Sequence, residues 1–248
     1  MTKGTAPFLD HLDELRHRLV LSVVFWAVGS SVGWYYRSEL LELLKRPLTF
    51  SSLYQAGKLE LVSQQLTDQL MMSFTLSAWA GLALALPFVL HQVWLFVAPG
   101  LFPEERRWAA PFVLGAGLAF VAGVLFCYFG LLPQMIPFLV DFLGGAVAGV
   151  YPIGQYVSQV VMFLVAFGLV FELPVLSFVL TKIGIVNAAL LARVRKFAFI
   201  AVMVLAAVIT PTPDPWNMMI VALPIYVLYE LGIIISRLAA PRPVLSAA

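Results

Sequence analysis

The 22 residues WAAPFVLGAGLAFVAGVLFCYF (Trp108–Phe129) contain no lysine, arginine, aspartate, glutamate or histidine. A helix needs about 20 predominantly apolar residues to cross a hydrocarbon core roughly 30 Å thick, so this run predicts a membrane span. Working outward, similar intervals lie upstream at residues 19–36 and 70–96. Three more lie downstream: 156–180, which contains Glu172; 197–210; and 216–236, which contains Glu230. The fold class expected is an all-α integral membrane protein of six transmembrane helices, forming a single membrane domain over residues 1–248. Composition agrees: of 248 residues 62% are hydrophobic and 11% charged, with mean hydropathy +0.96. Soluble domains run at about 45–50% apolar and about 25% charged.

Several function classes are excluded at this stage. The single cysteine, Cys127, lies inside the quoted apolar run, which rules out an internal disulfide framework and any cysteine-ligated cluster. Of the three histidines, His11, His17 and His91, only His91 lies in an uncharged stretch, so paired intramembrane haem ligands are missing. HExxH and phosphate-binding glycine loops do not occur, so no cofactor, no metal and no enzymatic activity are expected. A net charge of +2 implies nothing about nucleic acid, and none is expected as a partner.

Six spans place both ends of the chain on one side. That side carries Lys3, Arg16, Arg18, Arg106, Arg107, Lys182, Arg193, Arg195, Lys196, Arg237 and Arg242, against Arg37, Lys45, Arg46 and Lys58 on the other. The positive-inside rule therefore puts both termini in the cytoplasm. Asp10, Asp13 and Glu14 precede the first span, a pattern foreign to a cleaved signal peptide, so span one is expected to remain as an anchor.

The fifth and sixth spans are expected to be short. Phe197–Ile209 is 13 residues, reaching roughly 20 Å as a helix, and Trp216–Tyr229 is similarly short before Glu230 intervenes. A thinned bilayer or a water-filled recess beside them follows. Pro87, Pro174 and Pro224, each after a leucine, are expected to bend three spans into a concave wall. Their unequal spacing gives no sign of the internal repeat that marks many transporters.

Four charged elements are candidates for function. Residues 7–19 place Phe8, Leu12, Leu15 and Leu19 at helical spacing among charged residues, which predicts an amphipathic helix at the membrane surface leading into span one. Within it Glu14 and Arg18 are four apart, so Glu14 either forms an intrahelical ion pair or stands ready for a cationic ligand. Glu104 and Glu105, in PGLFPEERR (Pro99–Arg107), either pair with the neighbouring arginines or hold negative charge at the surface. Glu172 and Glu230 lie within spans, where no lysine or arginine is expected at their depth. They are expected to be protonated, hydrated or hydrogen-bonded to groups such as Gln92, Gln159, Ser177 or Tyr226. Their use is either a polar patch for a partner helix or a proton relay.

HLDELRHRL (His11–Leu19), HQVWLFVAPGLFPEERR (His91–Arg107), FELP (Phe171–Pro174), RKFA from Arg195, TPTPDP (Thr210–Pro215) and ALPIYVLYELGI (Ala222–Ile233) occur in the order seen in the TatC family. Over about Phe8 to Arg237 the chain resembles this family, the receptor subunits of the twin-arginine protein translocase. The resemblance implies a plasma (inner) membrane receptor that reads paired-arginine signal peptides of folded cargo and draws on the proton gradient. By the matching motifs, Glu14 and Glu105 would bind the signal peptide, with Arg16 in the same element and Glu104 ranking below Glu105. Thr210, Pro211, Asp214 and the start of span six would contact the single-span subunits TatB and TatA. There Met218 replaces a glutamine often present, and several copies of the chain are expected in the complex. The reading from a different class is a proton-coupled small-molecule transporter with Glu172 and Glu230 as carriers.

Overall fold

The computed structural model describes residues 6–97, 109–142, 149–210 and 214–239. The described residues are mostly helical and hold five helical stretches long and apolar enough to cross a membrane: His11–Tyr35, Asp68–Phe96, Phe112–Val140, Ile153–Lys182 and Pro215–Ala239. Packing divides it into two compact units, one from residues 1–101 and 127–165, the other from 102–126 and 166–248. This subdivision has no marker in the sequence.

In the first unit, α1 (Ala6–Tyr35) joins the amphipathic segment and span one into a single helix that packs along α4 (Asp68–Val97). The two backbones meet through small residues. A methyl group on Gly29 would lie 2.6 Å from the Gly81 carbonyl oxygen, and one on Gly81 would collide with the Ser30 backbone. Lipid is as apolar as leucine, so close van der Waals contact of this kind, rather than exclusion of water, holds the pair. Around the seam the Trp26 indole donates to the Ala78 carbonyl at 2.8 Å, and Phe25 stacks on Phe88 at 5.0 Å.

Beyond α1 the chain forms α2 (Arg37–Lys45), a 3₁₀ turn (Arg46–Phe50), α3 (Ser52–Gln55) and β1 (Leu59–Val62). The all-α expectation is qualified here, because β1 pairs in parallel with β2 (Gly149–Pro152), Leu59 opposite Gly149. Four residues of strand inside a polar loop are too short to stand out from the residues around them. Asp141, just past α6 (Leu132–Val140), ties the same loops together. Its carboxylate accepts from Ser51 Oγ at 2.6 Å, the Ser52 amide at 2.8 Å, Ser52 Oγ at 3.0 Å and the Leu53 amide at 3.3 Å. Burial pushes the carboxyl pKa up, but the hydrogen bonds from Ser51, Ser52 and Leu53 outweigh it and hold the group below its ordinary value. Because folding lowers this pKa, the contribution is present above the ordinary carboxylate range and is lost as pH falls through the folded-state value. Asp141→Asn is expected to cost about 1 to 2 kcal/mol at neutral pH. Denaturant unfolding of parent and variant should begin to converge only as pH falls below about 4; a gap unchanged at the lowest pH would count against the charged acceptor.

The second unit contains α5 (Ala109–Phe126), α8 (Leu173–Lys182), α9 (Ala188–Arg193), α10 (Arg195–Ile209) and α11 (Pro215–Ala239). Helix α7 (Ile153–Val170) stops two residues short of α8, whose second residue is Pro174, so that proline starts a helix instead of bending one. Pro87 and Pro224 sit inside continuous helices. Gly232 of α11 lies against Ser177 of α8, and Thr181 and Ser236 share a hydrogen bond of 2.7 Å between the same two helices. Helix α10 has 15 residues, about 22 Å, and falls short of a bilayer core as expected. The sixth span is not short: α11 runs 25 residues, about 37 Å, straight through Glu230. The reason lies in a partner for that glutamate.

Candidate functional site

The residues around Glu14 come from the first turns of α1 and the last turns of α4. His11 stacks on Phe96, ring centroids 4.4 Å apart and 17° from parallel, which fixes the start of α1 against the end of α4. One turn of helix beyond Glu14, Arg18 donates from Nη1 to Gln92 Oε1 and from Nη2 to Glu14 Oε1, both at 3.3 Å. The Arg18 Nε is buried with no hydrogen-bond partner among the described residues. Gln92 is therefore engaged with Arg18, where a role beside the intramembrane glutamates was expected.

The intrahelical pair is real but weak. Its contact is long, uses one carboxylate oxygen, and leaves the Glu14 side chain 31% exposed. Pairs of this kind contribute a few tenths of a kcal/mol. An incoming guanidinium that offered two parallel N–H bonds would outcompete it. Arg16 is exposed on the same helix. Glu104 and Glu105 lie outside the described residues; along the chain Glu105 follows Val97, the last residue of α4, by eight.

The two intramembrane glutamates are unlike each other. Glu172, at the residue before α8, is 8% exposed, and its Oε1 is buried without a hydrogen-bond partner among the described residues. Glu230 departs from expectation, because a basic residue does lie at its depth. Arg195, at the start of α10, donates to Glu230 Oε2 at 2.7 Å, and the Tyr226 hydroxyl donates to Oε1 at 3.1 Å. Helices α10 and α11 are separated by only five residues along the chain, and the first residue of one meets the late turns of the other. The Tyr229 hydroxyl adds a 2.6 Å bond to the Leu191 carbonyl. A fixed ion pair makes Glu230 a poor proton carrier and a good clamp. Both members are partly exposed, so Arg195→Gln is expected to cost no more than about 1 kcal/mol of stability, seen as a small drop in thermal midpoint.

Two of the residues expected to meet partners also make hydrogen bonds within the chain. Thr210 is buried and its hydroxyl donates to the Ala206 carbonyl at 2.9 Å. Asp214 caps α11, its Oδ1 accepting from the Asn217 amide at 2.8 Å and its Oδ2 from Asn217 Nδ2 at 2.9 Å. Pro211 lies outside the described residues. Met218 is half-buried, while Trp216 and Met219 beside it are exposed. Asn217 is fully buried with Oδ1 unpartnered among the described residues, a polar group that the reading of residue types passed over.

The described residues define a mostly helical protein with several candidate membrane spans. The family model described as "Sec-independent protein translocase protein (TatC)" matches residues 10–224. A TatC protein of Deinococcus radiodurans is 57% identical over 94% of this chain and 87% of its own length. Those of Carboxydothermus hydrogenoformans and Aquifex aeolicus are 36% and 34% identical over 94% and 95% of this chain, and over 93% and 97% of theirs. Two crystal structures of a twin-arginine translocase receptor, TatC, one of them in DDM, superpose with TM-scores of 0.79 and 0.80 at 33% identity, covering 92% of this chain and 99% of theirs. The chain belongs to the TatC family.

Proposed function

We propose that this chain is the receptor of a twin-arginine translocase, binding the paired-arginine signal peptides of folded cargo and nucleating the assembly that exports them across the plasma membrane. The observation that carries this reading, beyond family membership, is the placement of Glu14. Its carboxylate is half exposed at the end of a membrane helix and engaged by a single long contact. Glu105 is the second carboxylate, with Glu104 adding negative potential and Arg16 flanking. Two acids explain a demand for two adjacent arginines, because each guanidinium forms a two-pronged bond that an ammonium group lacks.

Helix α10 is read as the fifth of six spans, crossing where the bilayer thins. With six spans and eleven basic residues against four, both termini face the cytoplasm. The chain holds no phosphate loop, so its energy comes from elsewhere, and the family resemblance implies the transmembrane proton gradient. The region of exposed Trp216 and Met219 and half-buried Met218 offers the contact to single-span TatB and TatA subunits, with several receptor copies in the complex. Photocrosslinkers at positions 105 and 218 test the arrangement. Signal peptide should be captured from the first and a single-span subunit from the second; the reverse pattern would overturn it.

A further inference from the structure

On the side of the membrane away from the N terminus, the 3₁₀ turn Arg46–Phe50 and a π turn, Cys127–Leu131, enclose a cavity of about 370 Å³. Arg46, Thr49, Phe50, Tyr128, Phe129 and Pro133 line it. The π turn has a chemical cause. Pro133 has no N–H to offer the carbonyl of Phe129 four residues earlier, so the helix widens, and Gln134 Nε2 takes up the Gly130 carbonyl at 2.9 Å. Such turns recur at functional sites. Here the widening leaves the Phe129 ring 70% exposed opposite Phe50, 61% exposed. The Tyr128 hydroxyl is fixed by donating to the Leu43 carbonyl at 2.8 Å.

The charge at the mouth of this cavity is free to take a ligand. Lys45 pairs with Glu42 at 3.0 Å, and Arg37 donates to the Trp34 carbonyl and lies over the Trp34 ring. The Arg46 guanidinium makes no hydrogen bond or ion pair among the described residues, and it acts electrostatically on the Tyr128 phenol. The depth suits a headgroup. Trp34, Tyr35 and Tyr36 close span one as an interfacial aromatic belt, and the segment carrying Arg46 follows directly. We propose that this cavity binds a phospholipid of the leaflet opposite the N terminus, with Arg46 clasping the phosphodiester while Phe50, Phe129 and Pro133 pack along an acyl chain. Guanidinium and phosphate match as a two-pronged pair, and basic pockets at membrane interfaces hold lipid headgroups in this way. An apolar partner helix would fill the aromatic wall but leave the arginine without an anion.

Native mass spectrometry of the full chain in detergent, titrated with dioleoyl phosphatidylglycerol or with dioleoylglycerol, tests the site. The phosphate-bearing lipid is expected to bind at least about tenfold more tightly. Arg46→Gln should remove most of that preference, Arg46→Lys should fall between, and Arg37→Gln should leave it unchanged. Phe129→Ala should weaken both lipids by a similar few-fold factor, and unshifted thermal midpoints verify that the variants fold. A photoactivatable phosphatidylglycerol should label the segment 127–133. Equal binding of the two lipids, or unaltered binding by Arg46→Gln, would overturn the proposal. So would crosslinks from position 129 in native membranes that capture only a protein subunit.

Discussion

Replacing Glu14 and Glu105 together by glutamine is expected to weaken binding of a twin-arginine peptide by about 3 to 4 kcal/mol, a factor of several hundred. Each carboxylate contributes a charge-assisted, two-pronged bond of roughly 2 kcal/mol, and glutamine keeps the shape while losing the charge. The protein itself should survive the change. Glu14 gives up one long, half-exposed contact to Arg18, worth a few tenths of a kcal/mol. Binding to the parent should also fall as salt rises from about 0.05 to 0.5 M, because the charges sit where ions reach them. Peptide anisotropy measured on reconstituted parent, single and double variants checks both effects. A double variant that binds within about threefold of the parent would remove the paired-carboxylate mechanism.

Gly81→Val carries the largest expected effect on stability, about 3 kcal/mol. A side chain at position 81 runs into the backbone and hydroxyl of Ser30, and backbone cannot swing aside as a flexible side chain can. Helices α1 and α4 would have to separate, taking with them the Trp26 bond to Ala78 and the Phe25–Phe88 stack. The Glu14 region rests on the same pair of helices through His11 on Phe96 and Arg18 on Gln92. Loss of peptide binding should therefore accompany the loss of stability in this variant. Unfolding in mixed detergent and a parallel binding assay check the pairing. Gly154→Ala, in open space at the start of α7, should change neither. A Gly81→Val protein as stable as the parent would show that the α1–α4 seam is not close-packed.

Much of the fold was legible because membrane spans announce themselves by what they lack. Trp108–Phe129 stands out through the absence of charge, and the shortness of α10 follows from Arg195 and Lys196 at one end and the proline-rich sequence TPTPDP at the other. Contacts between residues distant in sequence were not legible. Glu230 reads as a lone intramembrane acid because Arg195 lies 35 positions earlier, and only the antiparallel run of α10 and α11 brings them to 2.7 Å. Asp141 gathers four donors from a loop some 90 residues earlier, which no local pattern encodes. At the candidate site, Glu14 and its i+4 partner were evident from helical spacing. The bond from Arg18 to Gln92 was not, since a glutamine in an apolar helix can face any polar neighbour. Asp214, an acid expected to face a partner, also caps its own helix, a bond that its residue type did not announce.

The most direct measurement compares two peptides that differ only in the arginine pair. With the parent chain in nanodiscs at low salt, the arginine peptide should bind at least about thirtyfold more tightly than the same peptide carrying two lysines, and the Glu14→Gln, Glu105→Gln variant should erase most of that difference. Equal affinity of the parent for both peptides would contradict a site built on guanidinium–carboxylate recognition.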